Sequence, residues 1–363
     1  MRSYIYLFFI LFSGLALAQD NTFQQDDFFQ YKDWAVACDN TLTCRAVGSY
    51  DQGKNGNVYA RMALLLERKA GANKPLSGQV KIDDQMPGET LLSLAINDKS
   101  LGPLKWKEDN LYELSKFQLT QLIEALKGDK NTIFFYMAHK KWFLSDAGFN
   151  AAMLKMDEKQ GRIGTTGAII SSGDKDESQV YRPTLMPIIK AATDVGDKPI
   201  KNVTFSEINK LFPEFKKRYA NEEKINCNGA NSSNNLDKDF ANKNLPLPEL
   251  ITLNDEYNLL KVFCDIGQPT SNLYSFWVIP NVNTPNDNDI KLVTKTANDY
   301  YYGIITSDNL QQVIYNDHSF FINIAKQWIW TGESFVLQSE IAQSLRDNAS
   351  TWSLPIFVSK IKS

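Results

Sequence analysis

KDWAVACDNTLTCRAVG, residues 32–48, decides the fold class of this chain. Trp34, Val36 and Cys38 alternate with Asp33, Ala35 and Ala37. That period of two puts successive side chains on opposite faces of a strand. Cys38 and Cys44 bracket DNTLT, and a C-x5-C spacing fits a bridge across a tight hairpin. The same period returns in Met62, Leu64 and Leu66 after a Gly/Asn turn at residues 53–57. Further strands are expected at residues 79–83, 91–97, 132–138 and 142–145, the last two flanking a hairpin tip at His139, Lys140 and Lys141.

Two helices interrupt the strands. Ser115 and Gln118 form an S-x-x-Q capping box, in which the two residues satisfy each other's free N–H groups in the first turn. Leu119, Leu122, Ile123 and Leu126 then make one apolar stripe, and Gly128 stops the helix. A second helix is expected over residues 146–160, with Phe149, Met153 and Met156 on one face and Gly161 at its end. Strands and helices without strict alternation indicate an α+β, β-rich chain of two antiparallel-sheet domains, the first with two packed helices.

The first domain is expected over residues 28–172. A linker is expected at 173–199, in a stretch that opens with SSGDKDES (171–178) and carries Pro183, Pro187 and Pro199. The second domain, 200–363, opens with a helix capped by Thr204 and Glu207. An Asn-rich polar stretch fills residues 221–244, and strands are expected at 258–264, 274–279, 290–296, 301–306, 327–330 and 335–338.

The first 18 residues read as a signal peptide. Arg2 precedes an apolar run from Tyr4 to Phe12, and Ala16-Leu17-Ala18 supplies the small residues of a cleavage site. The run is shorter than the roughly 20 residues a membrane-spanning helix needs. Periplasmic or secreted localisation, with no transmembrane segment after cleavage, is therefore expected. The formal charge of −3 becomes −4 once Arg2 is lost, which gives no basic footprint for nucleic acid. Lys216, Lys217 and Arg218 read as a solvated helix face. Four cysteines in an exported chain indicate two disulfides. Three pairings are open; Cys38 with Cys44 and Cys227 with Cys264 is favoured, because each joins near neighbours.

Several stretches, in order, are similar to known secreted proteins. KDWAVACDN with TLTCRAVG, LLSLAINDKSLGPLKW (91–106), IEALKGDK (123–130) and WFLSDAGFNAAMLKM (142–156) resemble the invasion-associated locus B proteins of bacteria. MDEKQGRIGTTGA (156–168) and WIWTGESFVL (328–337) resemble the junction and C-terminal motifs of a longer secreted family, domain of unknown function 1176. That family often carries extra cysteines before the terminal Trp motif, and residues 315–327 contain none. The resemblance implies an exported protein with an N-terminal β-rich domain, and no defined chemistry.

No catalytic pattern is readable. The two histidines, His139 and His318, sit in polar turns, with no G-x-S-x-G elbow to complete a triad. H-E-x-x-H, P-loop and G-x-G-x-x-G patterns are missing, so no metal or cofactor is expected. Asp255, Glu256, Asp287 and Asp289 read as solubilising loop acids. Aromatics, at 12%, are the notable surplus. Trp328 and Trp330 share one face of a strand, and Tyr300, Tyr301 and Tyr302 cluster before another; such residues pack a core or form a binding face. The expectation is a non-enzymatic protein that binds a protein or glycan. The alternatives are an inhibitor of a lysozyme-like or other hydrolytic enzyme, and a glycan hydrolase with two carboxylates facing across a cleft.

Overall fold

The computed structural model describes residues 22–25, 27–49, 61–83, 91–108, 110–192, 200–213, 215, 245–266, 272–281, 289–293, 312–318, 322–344 and 352–362. The chain is β-rich α+β, with antiparallel sheets and, among the described residues, three α-helices, as its periodicities predict. The expected signal peptide, Lys216, Lys217, Arg218, Cys227, Asp287, Tyr300, Tyr301 and Tyr302 lie outside the described residues. No helix among the described residues is long and apolar enough to cross a membrane.

The opening hairpin is β3 (Trp34–Cys38) and β4 (Cys44–Ser49), closed by the Cys38–Cys44 disulfide. It lies inside an eight-stranded sheet. β1 (Thr22–Gln25) and β2 (Phe28–Tyr31) precede it on one side. On the other side come β5 (Arg61–Arg68), β6 (Leu76–Asp83), β10 (Leu111–Glu113) and finally the edge strand β9 (Lys105–Glu108). A four-stranded sheet runs in the order β12 (Lys140–Phe143), β11 (Ile133–Met137), β7 (Ser93–Ile96), β8 (Lys99–Pro103).

Helices α1 (Lys116–Lys127) and α2 (Phe149–Lys159) pack with both sheets. Trp34, Val36, Leu64 and Val80 from the large sheet meet Phe135 and Trp142 from the small one, with Leu122, Leu126, Met153 and Met156 from the helices among them. Trp34 fixes α2 at its start: its indole N–H donates to the Ser145 carbonyl at 2.9 Å, and its ring meets Phe149 edge-on at 4.9 Å. Gly148, the N-cap, has φ +98°, and a Cβ there would fall 2.0 Å from the Tyr31 carbonyl oxygen. Only glycine lets the helix start this close to β2.

The alternation in WAVAC is real, yet all five residues are buried. The second face of the large sheet, with Ala35, Ala37, Val47, Ala63 and Leu65, is covered by residues far downstream in the sequence: Ile324, Ala342, Leu354 and Ile356. They belong to a four-stranded sheet in the order β19 (Gln312–His318), β20 (Ile322–Trp330), β21 (Phe335–Ser344), β22 (Leu354–Phe357). Alanines on both sides permit that close approach. Asn40 ties the layers together, accepting from the Val358 N–H at 2.8 Å and donating its amide to the Val358 carbonyl at 3.1 Å.

The remaining core lies around a five-stranded sheet: β14 (Ile200–Asn202), β15 (Glu249–Thr252), β16 (Tyr257–Ile266), β17 (Asn272–Pro280) and β18 (Lys291–Leu292). Leu260, Val262, Trp277 and Ile279 face α3 (Phe205–Leu211), whose capping box of Thr204 and Glu207 forms as expected. Leu259, Phe276 and Val278 face the other way, towards Trp330. A short parallel pair, β13 (Ile188–Lys190) with β23 (Lys360–Lys362), completes the strands.

Candidate functional site

The structure places Trp330 in the core. It is fully buried, with Tyr257 at 5.7 Å and Phe335 at 5.2 Å between ring centroids. Trp328, two residues earlier on β20, is half-buried against the same cluster. A ring with no exposed surface offers nothing to a partner, so Trp330 is a packing residue. His139 is exposed at the β11–β12 turn, and His318 ends β19 rather than occupying a turn. The side chain of Cys264 lies outside the described residues, as does its expected partner Cys227. Among the described residues no group of three or more His, Cys, Asp or Glu could hold a metal ion.

Two features that sequence reading did not anticipate stand out. The first is a buried charge cluster at the end of α2. The junction motif MDEKQGRIGTTGA gives no hint of it, because Asp157, Gln160 and Arg162 read as an ordinary polar helix end; all three are fully buried. Arg162 donates to Glu177 Oε1 at 2.5 Å, to the Gly71 carbonyl at 2.6 Å and to Gln160 Oε1 at 2.9 Å. Gln160 in turn donates to the carbonyls of Leu42 and Arg68, both at 2.9 Å. Arg68 donates to the Gly167 carbonyl at 2.6 Å and lies 3.8 Å from Asp157 and 3.7 Å from Glu177. Asp157 Oδ2 accepts the N–H groups of Ile169 at 2.7 Å and Ile170 at 3.0 Å. Glu177 Oε2 accepts the Asn73 N–H. A Cβ at Gly167 would sit 1.7 Å from Glu177 Oε1, so the loop closes over the cluster only with glycine there.

Two arginines face two carboxylates, so the cluster is balanced in charge. Burial pushes Asp157 above the usual carboxylate range, although the Ile170 and Ile169 N–H groups and both arginines oppose it. Burial pushes Glu177 up as well, but the Asn73 N–H and Arg162 outweigh it and hold Glu177 low. Burial, followed by the neighbouring Arg162, lowers Arg68. These are the carboxylates the fold brings together. They are engaged by arginines and main-chain N–H groups, and they fasten α2, the β5–β6 turn and the linker to one another.

The second feature is open. A groove of about 680 Å3 runs between α1 and the β7–β8 hairpin. Its apolar lining is Ile96, Leu101, Ala125 and Phe117, and Phe117 is 61% exposed. Both ends are held shut by side-chain amides. At one end Gln118, the capping residue, accepts from the Ser115 N–H at 2.9 Å. Its Nε2 lies 3.3, 3.2 and 3.1 Å from the carbonyl oxygens of Leu101, Gly102 and Pro103. At the other end Asn97 donates to Asn131 at 2.8 Å and accepts the Thr132 N–H at 2.9 Å, while Asn131 donates to the Ala125 carbonyl at 2.9 Å. Asn97 and Asp98 have φ of 51° and 61°, the left-handed pair that a two-residue type I′ turn demands. The groove is thus pre-formed, with Lys99 and Glu124 in its lining. Sequence reading found Gln118 as a helix cap; its grip on β8 depends on a contact between elements that no local pattern encodes.

The profile of the family described as "Protein of unknown function (DUF1176)" matches residues 28–319, and the chain belongs to that family. No curated protein and no solved structure matches it.

Proposed function

We propose that this member of the DUF1176 family is an exported, non-enzymatic protein that binds a protein or glycan through the groove between α1 and β8. Export is supported by the signal-like residues 1–18 and by the Cys38–Cys44 disulfide, a bond that persists in oxidising compartments. One observation carries the binding reading: a large aromatic side chain, Phe117, 61% exposed on the wall of a pre-formed groove that mixes apolar and polar side chains. Ligand sites are concave and apolar with a few fixed polar groups, and rigid aromatics at such sites dominate affinity.

The test is a screen of the mature chain against a glycan array and a displayed peptide library, with Phe117→Ala alongside. Hits that lose about 30-fold in affinity with Phe117→Ala, the equivalent of a 2 kcal/mol hot spot, support the reading. Hits that bind wild type and Phe117→Ala equally would sink it.

A further inference from the structure

We infer that the occupant of this groove is an extended, acidic segment of a partner protein, which adds to the open edge of β8 as a strand. The inference deepens the binding reading and rests on it. Among the described residues β8 is the last strand of its sheet, with β7 on one side and no strand on the other. The groove lies along it, and α1 forms the opposite wall.

The hairpin geometry says which main-chain groups are available. In a two-residue type I′ hairpin the residues flanking the turn form the hydrogen-bonded pair, and the next pair is not hydrogen-bonded. Here Ile96 pairs with Lys99 and Ala95 with Ser100. The N–H and C=O of Ser100 therefore point away from β7, to the open side. Further along, the two amide hydrogens of Gln118 are shared among the carbonyls of Leu101, Gly102 and Pro103, so the stretch of edge that Gln118 leaves free is at Ser100, in the groove lining. A strand laid there would exchange main-chain hydrogen bonds with Ser100 and set alternate side chains against Leu101 and Phe117. This is recognition by strand addition.

Charge selects the partner. Glu124 in the lining is paired with Lys127 at 2.8 Å, whereas Lys99 makes no ion pair among the described residues. Lysine and proline on an edge also discourage pairing between copies of the same strand. Lys99 and Pro103 stand at opposite ends of β8; a second β8 would bring another lysine, whereas a segment that carries a carboxylate complements Lys99.

The probe is a capped, fluorescently labelled (Asp-Val)4 peptide titrated into the mature chain by anisotropy. The controls are (Lys-Val)4 and two (Asp-Val)4 analogues, N-methylated on one edge or the other. We expect (Lys-Val)4 and one N-methylated analogue to bind at least about tenfold more weakly, the equivalent of one main-chain hydrogen bond. Ser100→Pro removes an N–H that faces outward, a tolerated change on an edge strand, and should also weaken binding about tenfold. Ser100→Ala, which keeps the N–H, should stay within about twofold. No binding of (Asp-Val)4 at about 1 mM, a free energy near −4 kcal/mol, would overturn the inference. Binding that needs Phe117 but ignores both N-methylation and Ser100→Pro would overturn strand addition and leave the groove reading standing. Binding indifferent to Phe117→Ala as well would remove both.

Discussion

At the junction, Arg162 is fully buried, and Asp157, Glu177 and Arg68 lie within 4 Å of an opposite charge or a donor N–H. In the groove, Lys99 is exposed and makes no ion pair among the described residues, while Asn97, Asn131 and Gln118 spend their amides on tying the walls together at the two ends. Similar residue types serve opposite ends. At the junction nearly all of these polar atoms are matched inside the fold, Asp157 Oδ1 lying buried without a hydrogen bond 3.8 Å from Arg68, so a ligand there would have to displace a partner. In the groove the amides fix a shape and Lys99 is left without an ion pair among the described residues, the arrangement on which the proposed binding rests.

The comparison breaks most clearly through stability. Arg162→Met should cost about 3–5 kcal/mol in denaturant unfolding, since it takes from buried Glu177 its nearest arginine and leaves Gln160 Oε1 and the Gly71 carbonyl without their donor. A loss under about 1 kcal/mol, the usual range of a surface change, would mean the cluster is not a fastening. Replacing Cys38 and Cys44 together by alanine should cost about 2 kcal/mol, the entropy of a short closed loop, and should leave the groove's binding intact.

A smaller effect sharpens the junction itself. Glu177 is held low, so its contribution is complete above its unfolded pKa of about 4.3 and is lost as pH falls through its lower folded pKa. Glu177→Gln should flatten that acid limb. Asp157 is held high, so the sign reverses: its contribution is most favourable below an unfolded pKa of about 3.9 and declines as pH rises through the folded value. Asp157→Asn should remove that decline. Unfolding midpoints across acidic pH for both variants decide it; equal slopes would contradict the opposite shifts. The smallest expected stability effect belongs to Phe117→Ala, within about 0.5 kcal/mol, because the ring is 61% exposed.

What the sequence carried, and what it could not, follows from range. The period of two in WAVAC, the S-x-x-Q box at Ser115 and the stripe of Leu119, Leu122, Ile123 and Leu126 are local, and each appears where expected. The cover over Ala35 and Ala37 comes from Ile324, Ala342, Leu354 and Ile356, and no window of the sequence contains both sides. Arg162 and Glu177 are 15 residues apart and meet the β5–β6 turn 91 and 104 residues back, so no local pattern marks them as a pair. Attention fell instead on Trp328 and Trp330, whose pattern is local but whose burial is not. The open edge of β8 is likewise a property of sheet order, invisible in KSLGP itself.

If recognition lives in the groove and fastening at the junction, a bound ligand changes the first and leaves the second alone. Hydrogen–deuterium exchange on the mature chain, with and without a ligand recovered from the screen, tests it most directly. Protection on binding should appear at residues 96–101 and 117–125 and leave residues 157–177 unchanged. Protection confined to residues 157–177, or to the strand carrying Trp328, would contradict it.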